Sequence, residues 1–453
     1  MILPHSLPDF KTFLRGAHLP PVWADHALAF VAAFLLHLGP MTATQAAGYR
    51  QRHVATLTRF LAQLRLSPDL LACARAATAA LERPPRPGDV WVFAVDATNR
   101  NSQTRHTENT FSCGNRNRRP RQSARKQLTY HRRAAHSFVC GLLLTPGGLR
   151  LPYWLPYYTR DYCRLLDRPY RTHAELAAQL VSDLEVPAAA RVVVVGDTAF
   201  EAAVVRRACG ERGFRWVAPA NPERVLTGRK PRRKLRAVAF ELSERSFEPV
   251  RLPLDGGPHR RQRRVSAGRT GLGKQTHRTY WVHRRTAEVH SVGAVVVLFS
   301  NRRKPPAGQA VAVDKVLLSD AYTATTEQLL AWYSLRWQIE LWFKELKGTL
   351  GLDQYRLSKF VQVEGWVQLC LVSFCYLEWQ RARQLRRAGL PEPERRAWER
   401  ARAGGLVGLL RRQLEQEELG RMERWLHSRS GRGKLRRLLR AACEAQPRTR
   451  RAG

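Results

Sequence analysis

The stretch Tyr333–Lys347 carries the residue types best suited to chemistry. Read as a helix at about 100° per residue, it sets Tyr333, Arg336, Glu340, Lys344 and Lys347 along one face. Leu335, Ile339, Trp342, Phe343 and Leu346 line the adjoining side and can dock on a core. One carboxylate among cations and a phenol suits a division of labour. The carboxylate holds a divalent cation, and the cations and phenol hold phosphates. A solvated face with i,i+4 ion pairs uses the same residues, although such pairs add only about 0.2–0.5 kcal/mol each.

Two further acids close apolar, β-rich runs: Asp96 after Val90–Val95 and Asp197 after Arg191–Gly196. In open α/β sheets, ligand sites form at the carboxyl ends of strands. An Asp there also serves as a turn or helix cap, so neither is decisive alone. Asp96, Asp197 and Glu340 together are hard oxygen donors that suit Mg²⁺ or Mn²⁺ and not zinc. Two such ions roughly 4 Å apart would clamp the attacking and leaving oxygens of a phosphodiester. The acids lie so far apart in sequence that only a folded domain can unite them.

The elements that must position them run as follows. Residues 1–84 read as helices: Val22–Leu38, Thr42–Tyr49, His53–Leu64 and one starting at Ser67-Pro68-Asp69. The 42–64 pair fits a helix-turn-helix reader of duplex DNA, and equally any small bundle. Pro84–Gly88 marks a boundary. Strands are expected at Val90–Thr98, Ser137–Thr145, Leu149–Tyr158, Arg191–Asp197 and Phe214–Ala218, with helices at Thr172–Leu184 and Ala199–Gly210. That βββαβαβ order predicts a mixed sheet with helices packed on it. The first connection, 100–136, is strongly basic and includes Arg116, Arg118, Arg119 and Arg121; His131 and His136 there read as phosphate contacts or surface. Residues 221–290 read as a β-rich insertion, with strand-like pieces at Val238–Leu252 and Arg278–His283. A last strand, Ser291–Ser300, leads through a loop to the Glu340 helix, and Val363–Trp379 is apolar enough to be core. The resulting segments are 1–84 (helical, a DNA-binding region if the 42–64 pair is a reader of duplex DNA), 85–220 and 291–380 (two parts of a core), 221–290 (insertion) and 381–453 (basic, helical).

The chain carries 77 Lys plus Arg against 37 Asp plus Glu, a formal charge of +40. Self-repulsion on that scale favours a polyanionic partner, of which nucleic acid is the usual one. The apolar runs Ala27–Leu36 and Trp366–Leu377 read as too short or interrupted to span a bilayer, and the N-terminus lacks the pattern of a signal peptide. Eight scattered cysteines without a Cys-x-x-Cys pair suggest reduced thiols in the cytoplasm.

Tyr333, Arg336, Glu340 and Lys347 fit Y-x₂-R-x₃-E-x₆-K at every position. On that signature, with Asp96 in Val-Asp-Ala-Thr and Asp197 in Gly-Asp-Thr-Ala-Phe, the chain resembles bacterial insertion-sequence DDE transposases of the YREK group over about residues 85–380. The resemblance implies a ribonuclease H-like α/β core with a β-rich insertion and helical N- and C-terminal regions. It implies Asp96, Asp197 and Glu340 as ligands of two Mg²⁺, with Tyr333, Arg336 and Lys347 on phosphates near the transposon end. It implies cut-and-paste transposition: nicking, attack of the freed 3′-hydroxyl to form an end hairpin, hairpin opening, and strand transfer into target DNA by a synaptic homodimer on the nucleoid. Relatives that form hairpins stack an extruded base on a Trp before the YREK helix. Residues 301–325 have no Trp here, and Trp281 or Trp332 are the available substitutes. A decayed relative that only binds DNA, or a structure-selective nuclease, would share most of these features.

Overall fold

The computed structural model describes residues 7, 9–36, 42–49, 53–64, 69–101, 107–113, 133–227, 232–253, 277–427 and 433. Arg116, Arg118, Arg119, Arg121 and His131 lie outside the described residues. The chain forms two compact units: one of Glu82–Lys344 with Ser358–Phe360, the other of Met1–Leu81, Glu345–Leu357 and Val361–Gly453.

The first unit is built on one mixed sheet. Its strands are β1 (Val90–Asn101), β2 (Phe111–Cys113), β3 (Arg133–Leu144), β4 (Arg150–Pro156), β5 (Arg191–Gly196), β6 (Arg215–Pro219), β7 (Val225–Leu226), β8 (Arg233–Lys234), β9 (Glu248–Pro253), β10 (His277–Val289), β11 (Gly293–Asn301) and β12 (Lys315–Ser319). The spatial order is β2-β3-β1-β5-β6-β12-β11-β10-β7-β8, with β4 on β3 and β9 on β10. β1, β5 and β6 run parallel, while β1–β3 and β3–β4 are antiparallel. This is the mixed sheet expected from the βββαβαβ order, and it is consistent with the ribonuclease H-like core that the resemblance implies. Val192–Val195 of β5 are buried, as a central strand covered on both faces requires. The helices His173–Ser182, with a Thr172–Glu175 capping box, and Ala203–Glu211 flank it.

Residues 221–290 contribute strands to the main sheet, where β10 pairs with β11 over Trp281–Val289. The structure corrects three expectations here. Leu235–Glu241 is helix, although Val238 onward reads as strand. Leu235, Val238 and Ala239 are its buried residues, the i, i+3, i+4 spacing of a helix face. The segment expected as a loop before the Glu340 helix contains β12, inserted between β6 and β11. His136 is neither surface nor phosphate contact: it is buried on β3, where Nε2 lies 2.9 Å from the Glu108 carbonyl. Burial pushes its pKa down to about 4, which leaves a neutral ring against Phe138 and Phe360.

The second unit is helical. Its described helices include Pro21–Leu36, Ala43–Tyr49, Val54–Leu64, Asp69–Ala79, Glu392–Arg400 and Ala403–Leu426 around the helix Phe360–Arg386. Trp366, Phe374 and Tyr376 of that helix are fully buried. Gly365 permits close approach, since a Cβ there would sit 2.2 Å from the Leu61 carbonyl oxygen. An 18-residue stretch of the 27-residue helix Phe360–Arg386 has mean hydropathy 1.4, long and apolar enough by composition to cross a membrane, but 89% of that stretch is buried inside the chain, as in a core helix.

Candidate active site

The β1–β5 pairing brings two of the three acids together. Its register ends at Val95 opposite Gly196. The next step along both chains sets Asp96 beside Asp197, on strands that lie about 4.8 Å apart. Asp96 is not at the end of β1, as the apolar run suggests, because β1 continues along β3 to Asn101. It stands instead where the parallel pairing with β5 stops. Asp197 is extended and caps the short turn Thr198–Phe200, its Oδ1 accepting the Ala199 N–H at 2.8 Å. The capping role allowed by sequence is therefore real, and it leaves the second carboxylate oxygen for another partner. Gly196 makes the tight exit possible: a Cβ there would sit 3.0 Å from the Phe200 Cβ.

The third acid arrives on a helix that breaks where the sequence reads as continuous. Thr326–Leu335, with a Thr325–Gln328 capping box, ends at Arg336, and Trp337–Gly348 carries Glu340. Arg336 keeps helical dihedrals (φ −51°, ψ −35°), which is why no sequence signal marks the break. Ile339, Trp342, Phe343 and Leu346 are buried as the periodicity predicts. Arg336 spans two of the acids: Nη2 donates to Glu340 Oε1 at 2.5 Å, and Nη1 lies 4.0 Å from Asp96 Oδ2. Its side chain is only 14% exposed, against 19% for Asp96 and 30% for Glu340.

The electrostatics record the crowding. Burial, then the negative charge of Asp197, push the Asp96 carboxyl up to about 6, with Glu340 adding to the effect. The Ala97 N–H and Arg336 act in the opposite sense. Burial works against the Arg336 charge, but the Glu340 hydrogen bond and the nearby negative groups outweigh it and raise its pKa. A carboxyl group within electrostatic reach of two others is the donor chemistry that a hard divalent cation neutralises. Yet among the described residues no three His, Cys, Asp or Glu side chains form a ready cation cage. In this arrangement the Arg336 guanidinium supplies the positive charge beside Glu340 and Asp96.

The phosphate-type residues divide. Tyr333 lies beside Arg336, whose guanidinium carbon is 6.0 Å from the phenol centroid. Lys344 is exposed, with its ammonium 5.8 Å from the Trp337 ring centroid. Lys347 is on the same helix, in the segment counted with the helical unit. Lys315, at the start of β12, escapes the sequence reading because that strand does. Its Nζ donates to Tyr333 Oη at 3.0 Å and sits 4.8 Å from the ring centroid. Of the two substitute tryptophans, Trp281 is half-buried under the Lys304 ammonium and Trp332 is half-buried in its helix. An open groove of about 480 Å³ lies along the turn after Asp197, lined by Thr198, Glu201, Ala202, Asn221 and Arg224.

Residues 169–376 match the transposase DDE domain family. That transposase match spans just under half of the 453 residues and includes Asp197 and Glu340, with Asp96 preceding it. It supports a transposase function and, with it, action on DNA. No curated protein matches the chain at a significant level.

Proposed function

We propose that the chain is a cut-and-paste DNA transposase of the YREK group, with Asp96, Asp197 and Glu340 as its catalytic carboxylates. The observation that carries the reading is the strand register that brings Asp96 beside Asp197, with Arg336 joining Asp96 to Glu340. The donor set fits divalent cations, two Mg²⁺ or alternatively Mn²⁺, which when bound would activate water or a 3′-hydroxyl and stabilise the leaving oxygen.

The chain's own residues have separable tasks. Arg336, Tyr333, Lys344 and Lys347 bind phosphates of the transposon end, and Lys315 adds a cation at the Tyr333 hydroxyl. A phosphate that engages Arg336 draws the guanidinium from Glu340, so DNA binding frees the third carboxylate for its ligand role. Asp197, fixed by its turn, needs no such release, and Asp96 faces the same guanidinium only at 4.0 Å. The loop residues Arg116, Arg118, Arg119 and Arg121 add charge for duplex DNA, both end and target. The protein works as a homodimer pairing two terminal inverted repeats, on the bacterial nucleoid.

A DNA-binding protein without activity is the second reading, favoured by the lack of a ready cage among the described residues. One variant separates the two. With a duplex ending in the inverted repeat that flanks this coding sequence, Glu340→Gln abolishes cleavage in Mg²⁺ while binding stays within about twofold. Near-parental cutting by Glu340→Gln rejects the assignment, and a parent that binds but never cuts favours the second reading. Strand transfer by the parent excludes a plain nuclease.

A further inference from the structure

Four residues past Asp197 stands the most deeply buried acid near the site. Glu201 is 4% exposed. A carboxylate so placed costs several kcal/mol unless it is fully paired. Arg206 Nη1 donates to its Oε1, and Arg224 Nη2 to its Oε2. Arg206 comes from the helix Ala203–Glu211 and Arg224 from the segment after β6. Neither guanidinium stops there. Arg206 also donates to the Glu201 carbonyl at 2.8 Å and to the Ser291 carbonyl at 2.7 Å. Arg224 donates to Ser291 Oγ at 2.9 Å and to the His290 carbonyl at 3.4 Å. Ser291 makes the β10–β11 turn with φ 62°, a left-handed conformation that a non-glycine residue holds only when its surroundings fix it.

The cluster therefore ties together four segments: the Asp197 turn, the following helix, the segment after β6 and the β10–β11 turn. Replacing a buried ion network with apolar side chains is often neutral or stabilising, so stability alone is a weak reason for it. Its geometry is specific in another way. Only the turn Thr198–Phe200 separates the braced Glu201 from Asp197, and Phe200 within it packs on Gly196. The strand holds Asp197 from one side, and the network holds it from the other.

We propose that Glu201, clamped by Arg206 and Arg224, is a positioning group for Asp197, and that Arg224 links the Asp197 turn to the β10–β11 turn. This rests on the reading of Asp197 as a cation ligand. In this role each of the three acts through the turn it holds.

The test uses the full-length chain and two variants. Glu201→Gln keeps the shape and removes the charge. Arg224→Lys keeps a cation for Glu201 but cannot span both Glu201 and Ser291. Folding is followed by circular dichroism, Mn²⁺ binding by electron paramagnetic resonance without cleavage, and end-DNA binding and single-turnover nicking separately. With folding and DNA affinity retained, Glu201→Gln raises the half-saturating Mn²⁺ concentration at least tenfold and slows nicking at least thirtyfold. Arg224→Lys gives a smaller shift in the same direction. Parental Mn²⁺ binding and nicking in either folded variant overturns the proposal. Should Glu201→Gln not fold, Arg224→Lys alone decides it. A parent that neither binds Mn²⁺ nor nicks DNA contradicts the transposase reading instead.

Discussion

Asp96→Asn is expected to stabilise the cation-free protein at pH 8. In the folded chain, burial first and the Asp197 charge second raise the Asp96 pKa from 3.8 to about 6. A shift of about two units, at 1.36 kcal/mol each, sets a ceiling of about 3 kcal/mol. The sign follows from linkage: the unfolded chain releases this proton more readily than the folded one. The cost of the carboxylate is therefore absent below about pH 4, grows as pH rises toward 6, and is complete above about 7. Asparagine has no charge to bury and keeps an oxygen for the Ala97 N–H, which Asp96 Oδ1 accepts at 2.7 Å. Arg336 remains nearby in both proteins, so about 1–3 kcal/mol is the expected gain at pH 8. Urea unfolding followed by tryptophan fluorescence, in chelator at pH 8 and pH 5, measures it. The variant should be the more stable at pH 8, with a smaller gap at pH 5. Added Mg²⁺ should stabilise the parent more than the variant. A variant less stable at pH 8, or a gap independent of pH, refutes the idea that Asp96 is a crowded, partly buried carboxylate.

Further outcomes follow from the same geometry. Arg336→Ala should slow end cleavage by at least tenfold while freeing Glu340, and Lys347→Ala should slow it less; unchanged rates in both reject the phosphate role. Lys315→Ala should weaken binding of end DNA and lower the slope of log affinity against log salt by about 1, the signature of one lost phosphate contact. An unchanged slope leaves Lys315 as a partner of Tyr333 only. Gly365→Ala should destabilise the helical unit by about 1–3 kcal/mol, because its Cβ meets backbone and not a movable side chain. A melting temperature equal to the parent's contradicts that packing.

How much was legible in the sequence depended on which interactions decide each feature. The buried side of the Glu340 helix was readable because periodicity is local: Ile339, Trp342 and Leu346 recur at helical spacing and are all buried. The break at Arg336 was not, since the residue keeps helical dihedrals across it. β12 was missed because five residues, Lys315–Ser319, become a strand only through β6 and β11, far away in sequence. The β-rich 221–290 stretch joins the main sheet through the hairpin of β10 and β11, and β11 reaches the rest of the sheet only through β12, the strand that was missed. Asp96 and Asp197 were recognisable as acids after apolar runs, but only the Val95–Gly196 register puts them side by side. Glu201 gave one faint signal, an acid four residues after Asp197 with Arg206 five further on. Nothing local announces Arg224 as its second partner.

The most direct test of the central claim is where a reactive ion cuts the chain. Fe²⁺ replaces Mg²⁺ in the presence of duplex DNA, and ascorbate with peroxide then breaks the backbone beside the bound metal. The account predicts cuts next to Asp96, Asp197 and Glu340 together, suppressed by excess Mg²⁺ and lost in Asp96→Asn. Cuts confined to other segments, or cuts at these three that Mg²⁺ does not suppress, would contradict it.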